Sequence, residues 1–470
     1  MNRPQRSLRR VARPALLFVL MAALTSAAVV SPAGSQVAVA RHTGRPNVLI
    51  ILTDDQRWDT LGVMPRTRRW FAKGGTRFTE AFATTPLCCP SRASIMSGRY
   101  AHNHGVHNNK EGALFDERLS IQRYLDEAGY RNGIFGKFLN GWDLARNPRY
   151  FDEWSIFGSS KDHYNGGTWN VNGELRDHSK YGTTYIARRA VRFIKSSEEE
   201  DDDQPWFMYL APPAPHLPAT PAPEDVDAAV PPWDQNPDVL EEDRSDKPEF
   251  VQARELRPRR VRAARSNQLR SLLSVDALVD RVLRAMAKHG EKRPTIAFFL
   301  SDNGFLWGEH GLFGKGVTKR PPYTESVRIP LLVRWPGHVP RRESDSRLVA
   351  NIDIAPTVLD AARLSPDVGE PMDGRSLLDA GERQRLLLEY FLDVGPTPEW
   401  ASTRTPEYQY VEYYGSDGLQ PTFREFYDMR FDPWQLDNLL GDDDLTNDPD
   451  VSGISSQLDR DRRCVGAGCP

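Results

Sequence analysis

Two pairs of oxygen-bearing side chains follow two apolar segments of similar composition. Residues 46–52 and residues 295–300 are continuous apolar runs, which predict strands buried on both faces. Ligands of open α/β sheets bind beyond the carboxyl ends of the strands, where both pairs would lie. Oxygen ligands without His or Cys select Ca²⁺ or Mg²⁺ over zinc, so the double coincidence favours a metal site. The alternative is that each Asp is only a turn residue or helix cap. The four side chains are Asp54, Asp55, Asp302 and Asn303.

The chain has four cysteines, in two close pairs. Cys464 and Cys469 can form a small disulfide in an oxidising compartment, and no further Cys or His accompanies them as a metal site would need. Cys88 and Cys89 are adjacent, and neighbouring cysteines rarely bond to each other because the geometry is strained. This second pair therefore needs another explanation.

The segment around the adjacent cysteines resembles the signature of the formylglycine-dependent sulfatases, which belong to the alkaline phosphatase-like superfamily. That signature is Cys-x-Pro-Ser-Arg, followed by a short helix and a Thr/Ser-Gly-Arg/Lys ending. Residues 88–99 match it, with Cys88 at the modified position and Cys89 at the variable one. Five residues alone would be weak evidence, but the extension through Gly98 and Arg99 makes the match specific.

The resemblance extends over nearly the whole chain after residue 46. Six further segments resemble the first strand with its acidic ligands, the catalytic-lysine segment, the substrate-histidine segment, the second metal pair, the last active-site lysine and the carboxy-terminal strand. In that order they are residues 47–56, 136–140, 214–218, 301–304, 319–330 and 425–439.

The resemblance implies how the chain works. A formylglycine-generating enzyme would oxidise Cys88 to formylglycine, and one hydroxyl of the hydrated aldehyde would attack the sulfur of a sulfate ester. The second hydroxyl would then allow the aldehyde to re-form and expel sulfate, which is covalent catalysis with a built-in release step. The cofactor would be Ca²⁺, with Mg²⁺ as the alternative. The implied metal ligands are Asp54, Asp55, Cys88, Asp302 and Asn303. The implied catalytic residues are Cys88, Arg92, Lys137, His216 and Lys319.

The catalytic-lysine segment departs from the common sulfatase pattern, and this departure indicates the substrate class. Many sulfatases carry Lys-x-His where this chain has Lys137-Phe138-Leu139. The form found here is similar to the branch that removes 6-O-sulfate from N-acetylglucosamine, including extracellular heparan endosulfatases. The paired cysteines and residues 102–104 and 272–276 point the same way. The missing His leaves one contact to the leaving group unassigned, so aryl sulfates stay open as substrates.

Several assignments stay open at this point. Lys315 competes with Lys319, because Gly-Lys-Gly at 314–316 resembles another form of that lysine segment. His102, His104 and His310 are further candidates for the pocket. A phosphodiesterase or phosphonate monoester hydrolase of the same superfamily is the nearest alternative activity. A sugar-binding homologue without catalysis is the alternative from another class, and an unmodified Cys88 would favour it.

The elements that must position these residues belong to an α/β fold. Apolar runs at 46–52, 206–211, 295–300 and 329–333 alternate with amphipathic stretches, which predicts a large, mostly parallel sheet sandwiched by helices. The clearest helical stripe lies between Ser274, placed to cap its start, and Gly290, placed to end it.

The remaining segments predict loops and a second sheet. Residues 196–204 are acidic and predict a solvated loop, and residues 212–265 are rich in Pro and charge and predict a long loop. Short Tyr- and Phe-bearing segments from about residue 386 predict a small antiparallel sheet with a helix. The predicted domains are a catalytic domain at 41–380 and a C-terminal subdomain at 381–470.

The amino terminus predicts export. Four arginines among residues 3–10 precede an apolar run at about 15–30 and small residues up to 40, the layout of a secretory signal peptide at 1–40. Arg9-Arg10 is a weak match to a twin-arginine signal. The run is too short and broken for a stable membrane anchor, so a secreted protein is expected. A net charge of −3 gives no basic field for nucleic acid.

Overall fold

The computed structural model describes most of the chain after residue 43. The described ranges are 44–72, 74–158, 163–200, 204–253, 256–289, 295–367, 369–415, 418, 420–442 and 444–470. The predicted signal peptide therefore lies outside the described residues. Within the described ranges, no helix is both long and apolar enough to cross a membrane.

Fourteen strands are found among the described residues, in one sheet of ten and one of four. They are β1 (Asn47–Thr53), β2 (Thr76–Phe82), β3 (Arg131–Lys137), β4 (Glu153–Phe157), β5 (Gly167–Val171), β6 (Glu174–His178), β7 (Trp206–Ala211), β8 (Thr295–Ser301), β9 (Leu331–Arg334), β10 (Arg342–Ala350), β11 (Leu386–Tyr390), β12 (Glu399–Arg404), β13 (Tyr408–Tyr414) and β14 (Pro421–Asp428). The large sheet has the order β10-β2-β9-β8-β1-β7-β3-β4-β5-β6, and the small sheet β11-β12-β13-β14.

The α-helices of the described ranges vary from one turn to eight. They are α1 (Pro65–Ala72), α2 (Cys88–Ser97), α3 (Ala101–His104), α4 (Ile121–Glu127), α5 (Gly182–Glu200), α6 (Glu249–Gln252), α7 (Pro258–Lys288), α8 (Thr324–Val327), α9 (Ile354–Ala361) and α10 (Ser452–Asp461).

The large sheet is the middle layer of a sandwich, as predicted. The five central strands, β8, β1, β7, β3 and β4, are parallel to one another, and β1 is buried along its whole length. Alternate residues of β1 enter two separate cores, because successive side chains of a strand point to opposite faces. Val48, Ile50 and Leu52 share one core with α2, α4 and α9. Leu49 and Ile51 share the other with α5 and α7.

The sequence prediction for the start of the long helix is wrong. Helix α7 begins at Pro258, not at Ser274, because buried Val261, Leu269 and Leu272 continue its apolar side toward the amino terminus. Ser274 is buried inside the helix and its hydroxyl donates to the carbonyl of Ser271 at 2.7 Å, a local bond that a mid-helix Ser can make. The helix ends at Lys288, and Gly290 lies outside the described residues.

The two predicted loops are shorter than expected, because helices α5 and α7 extend into them. Helix α5 continues to Glu200, since Glu is a good helix former and exposed acidic residues do not interrupt it. Residues 201–203 lie outside the described part of the chain. The Pro-rich stretch from 212 is largely irregular, with short helical turns and α6, but residues 258–265 belong to α7.

The carboxy-terminal prediction is confirmed. The four strands of the small sheet are antiparallel, and α10 packs beside it through buried Leu458. A disulfide joins Cys464 and Cys469. The carbonyl of Cys464 accepts hydrogen bonds from His102 and Asn103, so the closed ring is tied to α3.

Replacing Gly136 with Ala should lower the free energy of unfolding by about 2–4 kcal/mol. Gly136 in β3 has a φ of +118°, and an added Cβ would lie 2.1 Å from the carbonyl oxygen of Ala211 in β7. The urea midpoint of unfolding measures the effect. The control is Gly453→Ala in α10, where no described atom lies within 4 Å of the added Cβ. An equal loss in both variants would contradict the prediction.

Candidate active site

The two predicted oxygen pairs meet at the carboxyl edge of the large sheet. Thr53 at the end of β1 is in register with Ser301 at the end of β8, which brings the following residues together. The backbone N–H of Asp55 donates to Asp302 Oδ1 at 3.1 Å, and Asn303 Nδ2 donates to Asp55 Oδ1 at 2.8 Å. All four side chains of these pairs are buried.

Asp55 has an uncommon backbone conformation, with a φ of +66°. A non-glycine residue in the left-handed region costs about 1–3 kcal/mol and is concentrated at functional sites. Asp tolerates this region better than most residues, which is consistent with its place at this turn.

Cys88 lies at the first residue of α2, and its side chain faces these carboxylates. Its Sγ is 3.4 Å from Asp54 Oδ1 and 3.9 Å from Asp55 Oδ1, and Lys319 Nζ donates to it at 2.8 Å. Burial raises the pKa of the thiol to about 12, with the charge of Asp54 acting in the same direction. The amino end of a helix favours negative charge, so an anion beside Cys88 is stabilised by α2.

Three cationic side chains contact the three carboxylates of the site. Lys137 Nζ donates to Asp54 Oδ2 at 2.6 Å, and Lys319 Nζ donates to Asp55 Oδ1 at 2.6 Å. Arg92 donates through Nε to Asp302 Oδ2 at 2.8 Å. We call these six side chains the buried ion cluster, which consists of Asp54, Asp55, Asp302, Arg92, Lys137 and Lys319.

Charge pairing decides the ionisation of this cluster. Burial by itself would raise the pKa of Asp54, but the charges of Lys137 and its neighbours outweigh it and hold that pKa well below its usual value. Burial likewise disfavours the charged form of Lys137, and the carboxylate of Asp54 raises its pKa above the ordinary value. The charges of Asp54 and Lys137 are thus retained in the interior because the two groups touch each other. Burial outweighs the pairing at Asp302 and raises its pKa to about 6.

His216 follows β7 and reaches the same site. Its Nδ1 lies 2.6 Å from the carbonyl oxygen of Leu217, which only accepts, so Nδ1 carries the proton. The other nitrogen, Nε2, lies 3.7 Å from Asp55 Oδ2 and is free to exchange a proton with a bound group. Removal from water lowers the pKa of His216, although Asp55 opposes this.

Donor atoms that could hold a divalent cation come together at this edge of the sheet. One ligand atom from each of Asp54, Asp55, Cys88 and His216 lies within 4.8 Å of the others. The carboxylate oxygens among them are the ligands that a hard cation such as Ca²⁺ prefers. The oxygen Oδ1 of Asn303 is buried and has no hydrogen-bond partner among the described residues, which a cation would supply. The carboxylate oxygens of Asp302, by contrast, already accept from Arg92 and from Asp55, so its place among the ligands stays a prediction.

The structure separates the two candidate lysines. Lys315 is exposed, whereas the side chain of Lys319 is buried and touches Cys88. The three histidines left open from the sequence have partners elsewhere. His102 pairs with Glu389, His104 with Ser94, and His310 with Glu241.

The position of the missing histidine is apolar. Leu139 and Phe138 are buried in the core on one face of the large sheet, with Phe138 edge-on to Trp142. Leu139 therefore supplies no polar contact. Among the described histidines, His216 has a ring nitrogen within 4.8 Å of the Cys88 sulfur.

Sequence reasoning missed two residues that support the site. Asn109 Oδ1 accepts a hydrogen bond from the backbone N–H of Cys89 at 2.9 Å. This N–H belongs to the first turn of α2, and the side chain of the N-cap residue, Leu87, does not bond to that turn. The hydroxyl of Tyr164 donates to the carbonyl of His216 at 2.7 Å. Neither residue lies in a motif, because each acts through the main chain of a distant segment.

Comparison with protein families identifies the chain. The family model "Sulfatase" matches residues 46–364, and the model "N-sulphoglucosamine sulphohydrolase, C-terminal" matches residues 308–461. The first match covers more than half of the chain and contains the whole buried ion cluster. The chain belongs to the sulfatase family.

Individual relatives agree with this assignment. N-acetylglucosamine-6-sulfatase of Homo sapiens is 30% identical over 92% of this chain and 87% of its own length. The "Extracellular sulfatase SULF-1 homolog" of Drosophila melanogaster is 34% identical over 71% of this chain, which spans only 31% of that longer protein.

A solved structure has the same fold. It is described as a complex with the substrate D-glucosamine-2-N,6-O-disulfate, and it is 22% identical with a TM-score of 0.74 over 88% of this chain and 96% of its own. Phosphonate monoester hydrolases share this fold as well, so the fold alone does not decide which ester is cleaved.

Calcium should stabilise the folded protein by about 2.7 kcal/mol at a free concentration one hundred times its dissociation constant, since a ligand that binds only the native state shifts unfolding by mass action. Thermal unfolding with and without calcium chloride, and with magnesium chloride for comparison, measures this. The shift should disappear in Asp54→Asn and persist in Asp59→Asn, whose carboxylate pairs with Arg57 outside the site. An equal shift in Asp54→Asn would contradict the metal site.

Proposed function

We propose that this protein is a sulfuric ester hydrolase that acts at position 88 after conversion of Cys88 to formylglycine. The observation that carries the proposal is the place of Cys88: it begins α2, faces Asp54 and Asp55, and contacts Lys319. A buried thiol whose pKa is about 12 is a poor nucleophile at neutral pH, which supports a modified residue rather than a cysteine nucleophile.

The buried ion cluster favours a singly charged ester. Its three carboxylates and three cations balance, and a divalent cation would add two positive charges. One ionised nucleophile and one singly charged ester would balance those two. A sulfate monoester has this charge, whereas a phosphate monoester approaches two negative charges at pH 7. Phosphodiesters and phosphonate monoesters are also singly charged and stay the alternative substrates.

The residues around position 88 would have separate roles in binding the cation, the sulfate group and residue 88. Asp54, Asp55 and Asn303 would hold the cation, with Ca²⁺ preferred and Mg²⁺ as the alternative. When bound, the cation would hold sulfate oxygens and lower the pKa of the attacking hydroxyl. Lys137 and Lys319 would neutralise charge on the sulfate and leaving oxygens. Arg92 would orient residue 88 and offset the carboxylates.

His216 would protonate the oxygen of the leaving alcohol. Its proton on Nδ1 is held by the carbonyl of Leu217, so Nε2 is the atom that faces the site. A protonated Nε2 can donate to the leaving oxygen, which is general acid catalysis. The nearby Tyr164 hydroxyl fixes the main chain of His216 and so its reach.

The substrate class that we infer is 6-O-sulfated N-acetylglucosamine. The support is the Lys137-Phe138-Leu139-Asn140 segment, the adjacent cysteines, and a human relative named for that activity. We further infer that residues 1–40 direct export, in the twin-arginine form as one option, and that a formylglycine-generating enzyme is the maturation partner. An inactive sugar-binding homologue is disfavoured because the buried ion cluster is intact.

Mass spectrometry of the peptide that spans Cys88 should find an aldehyde in place of the thiol when the host carries the modifying enzyme. Cys88→Ala should abolish sulfate release. Cys89→Ala is the matched control and should largely keep it, because the Cys89 thiol contacts the carbonyl of Asn140 and not the acidic pair. An unmodified thiol together with no sulfate release would refute the mechanism.

The substrate is tested by comparing kcat/KM for N-acetylglucosamine 6-sulfate with that for an aryl sulfate. We expect the sugar to be the better substrate, and the 3-sulfate isomer to be poor. Cys88→Ala gives the background rate for each compound. Faster hydrolysis of the aryl sulfate, or of a phosphonate monoester, would overturn the assignment of the substrate and leave the hydrolase intact.

A further inference from the structure

The segment that carries Lys319 lacks regular structure of its own. Residues 316–323 lie between β8 and α8 without forming a helix or strand. Lys319 is followed by Arg320, Pro321 and Pro322, and a proline has no N–H to donate. The carbonyl groups of this segment therefore need donors from elsewhere, because a buried carbonyl without a partner is costly.

The small sheet supplies those donors. Trp400 in β12 donates through Nε1 to the carbonyl of Arg320 at 2.8 Å. Gln409 in β13 donates through Nε2 to the carbonyl of Pro322 at 2.6 Å. Thr397, just before β12, donates to the carbonyl of Gly316 at 2.9 Å. The three side chains are buried, so water does not compete for these bonds.

Two of these side chains are themselves held in place. Gln409 and Arg404 face each other across β13 and β12, and Arg404 donates to Gln409 Oε1 at 3.0 Å. That bond fixes the amide so that Nε2 points to Pro322. Trp400 lies opposite Tyr390 of β11 and Tyr413 of β13 in the ladder. The donors therefore lie on a rigid sheet rather than on a loop.

We propose that Trp400 and Gln409 are positioning residues that hold Lys319 against Cys88 and Asp55. Their hydrogen bonds go to neither Cys88 nor Asp55. They act through the main-chain carbonyls of the residues that follow Lys319. The proposal rests on the proposed function, in which Lys319 neutralises charge on the sulfate group. It assigns to the small sheet a direct part in building the active site.

The test is a double-mutant cycle between Trp400→Phe and Lys319→Ala. Trp400→Phe keeps an aromatic ring and removes only the indole donor. It should lower kcat/KM for sulfate release about 10-fold, since small misplacements of a catalytic group are costly. It should also weaken the binding of inorganic sulfate to the calcium-loaded protein, measured by calorimetry. In the Lys319→Ala background the same change should alter sulfate binding by less than about 2-fold.

A merely structural role predicts a different result. Trp400→Phe would then lower the midpoint of unfolding and weaken sulfate binding equally with and without Lys319. Such additive effects would overturn the proposal. The matched control is Trp206→Phe, which removes another buried indole donor, bonded to Glu198, at the amino end of β7 away from the site. It should leave sulfate release unchanged. If Trp400→Phe does not fold, Gln409→Met takes its place in the double-mutant cycle with Lys319→Ala.

Failure of the proposed function can be distinguished from failure of the positioning role. A wild-type protein that carries the modified residue and calcium but releases no sulfate would refute the hydrolase. The positioning role is then judged by the crystal structure of Trp400→Phe. A Lys319 Nζ still within hydrogen-bond distance of Asp55 Oδ1 there would refute it.

Discussion

The buried ion cluster is the constraint on which the rest of the structure depends. Three carboxylates and three cations are held out of water, and a buried charge is tolerated only while its partners stay in place. The partners come from four separate parts of the chain: the ends of β1 and β3, the loops after β8, and α2. Any error in the sheet order would leave a charge unpaired, so the fold and the site are specified together.

The parallel centre of the sheet is what brings the cluster together. Parallel neighbours place their carboxyl ends at one edge, so β8, β1, β7 and β3 each deliver a polar residue to the same place. Their interiors are apolar on both faces and require helices on both sides. The cost of burying the six charged groups of the cluster is confined to this one edge of the sheet.

The small sheet is more than an appendage to this framework. It contributes no member of the buried ion cluster, yet its Trp400 and Gln409 donate to the main chain just after Lys319. The Tyr323 hydroxyl also donates to Glu425 of β14, which anchors the same segment further along. The carboxy-terminal part of the chain is thereby bonded to the segment that carries Lys319.

The sequence by itself determined the motif around Cys88, the two oxygen pairs and the alternation of strands and helices, because these depend on local composition. It misplaced the start of α7 and the end of α5, where a capping residue and an acidic run are overridden by continued packing or helix propensity. Only the tertiary structure placed Lys319 rather than Lys315 beside Cys88, brought His216 to the same place and bonded Trp400 to the carbonyl of Arg320. Those outcomes depend on contacts between residues far apart in the chain, which local patterns do not encode.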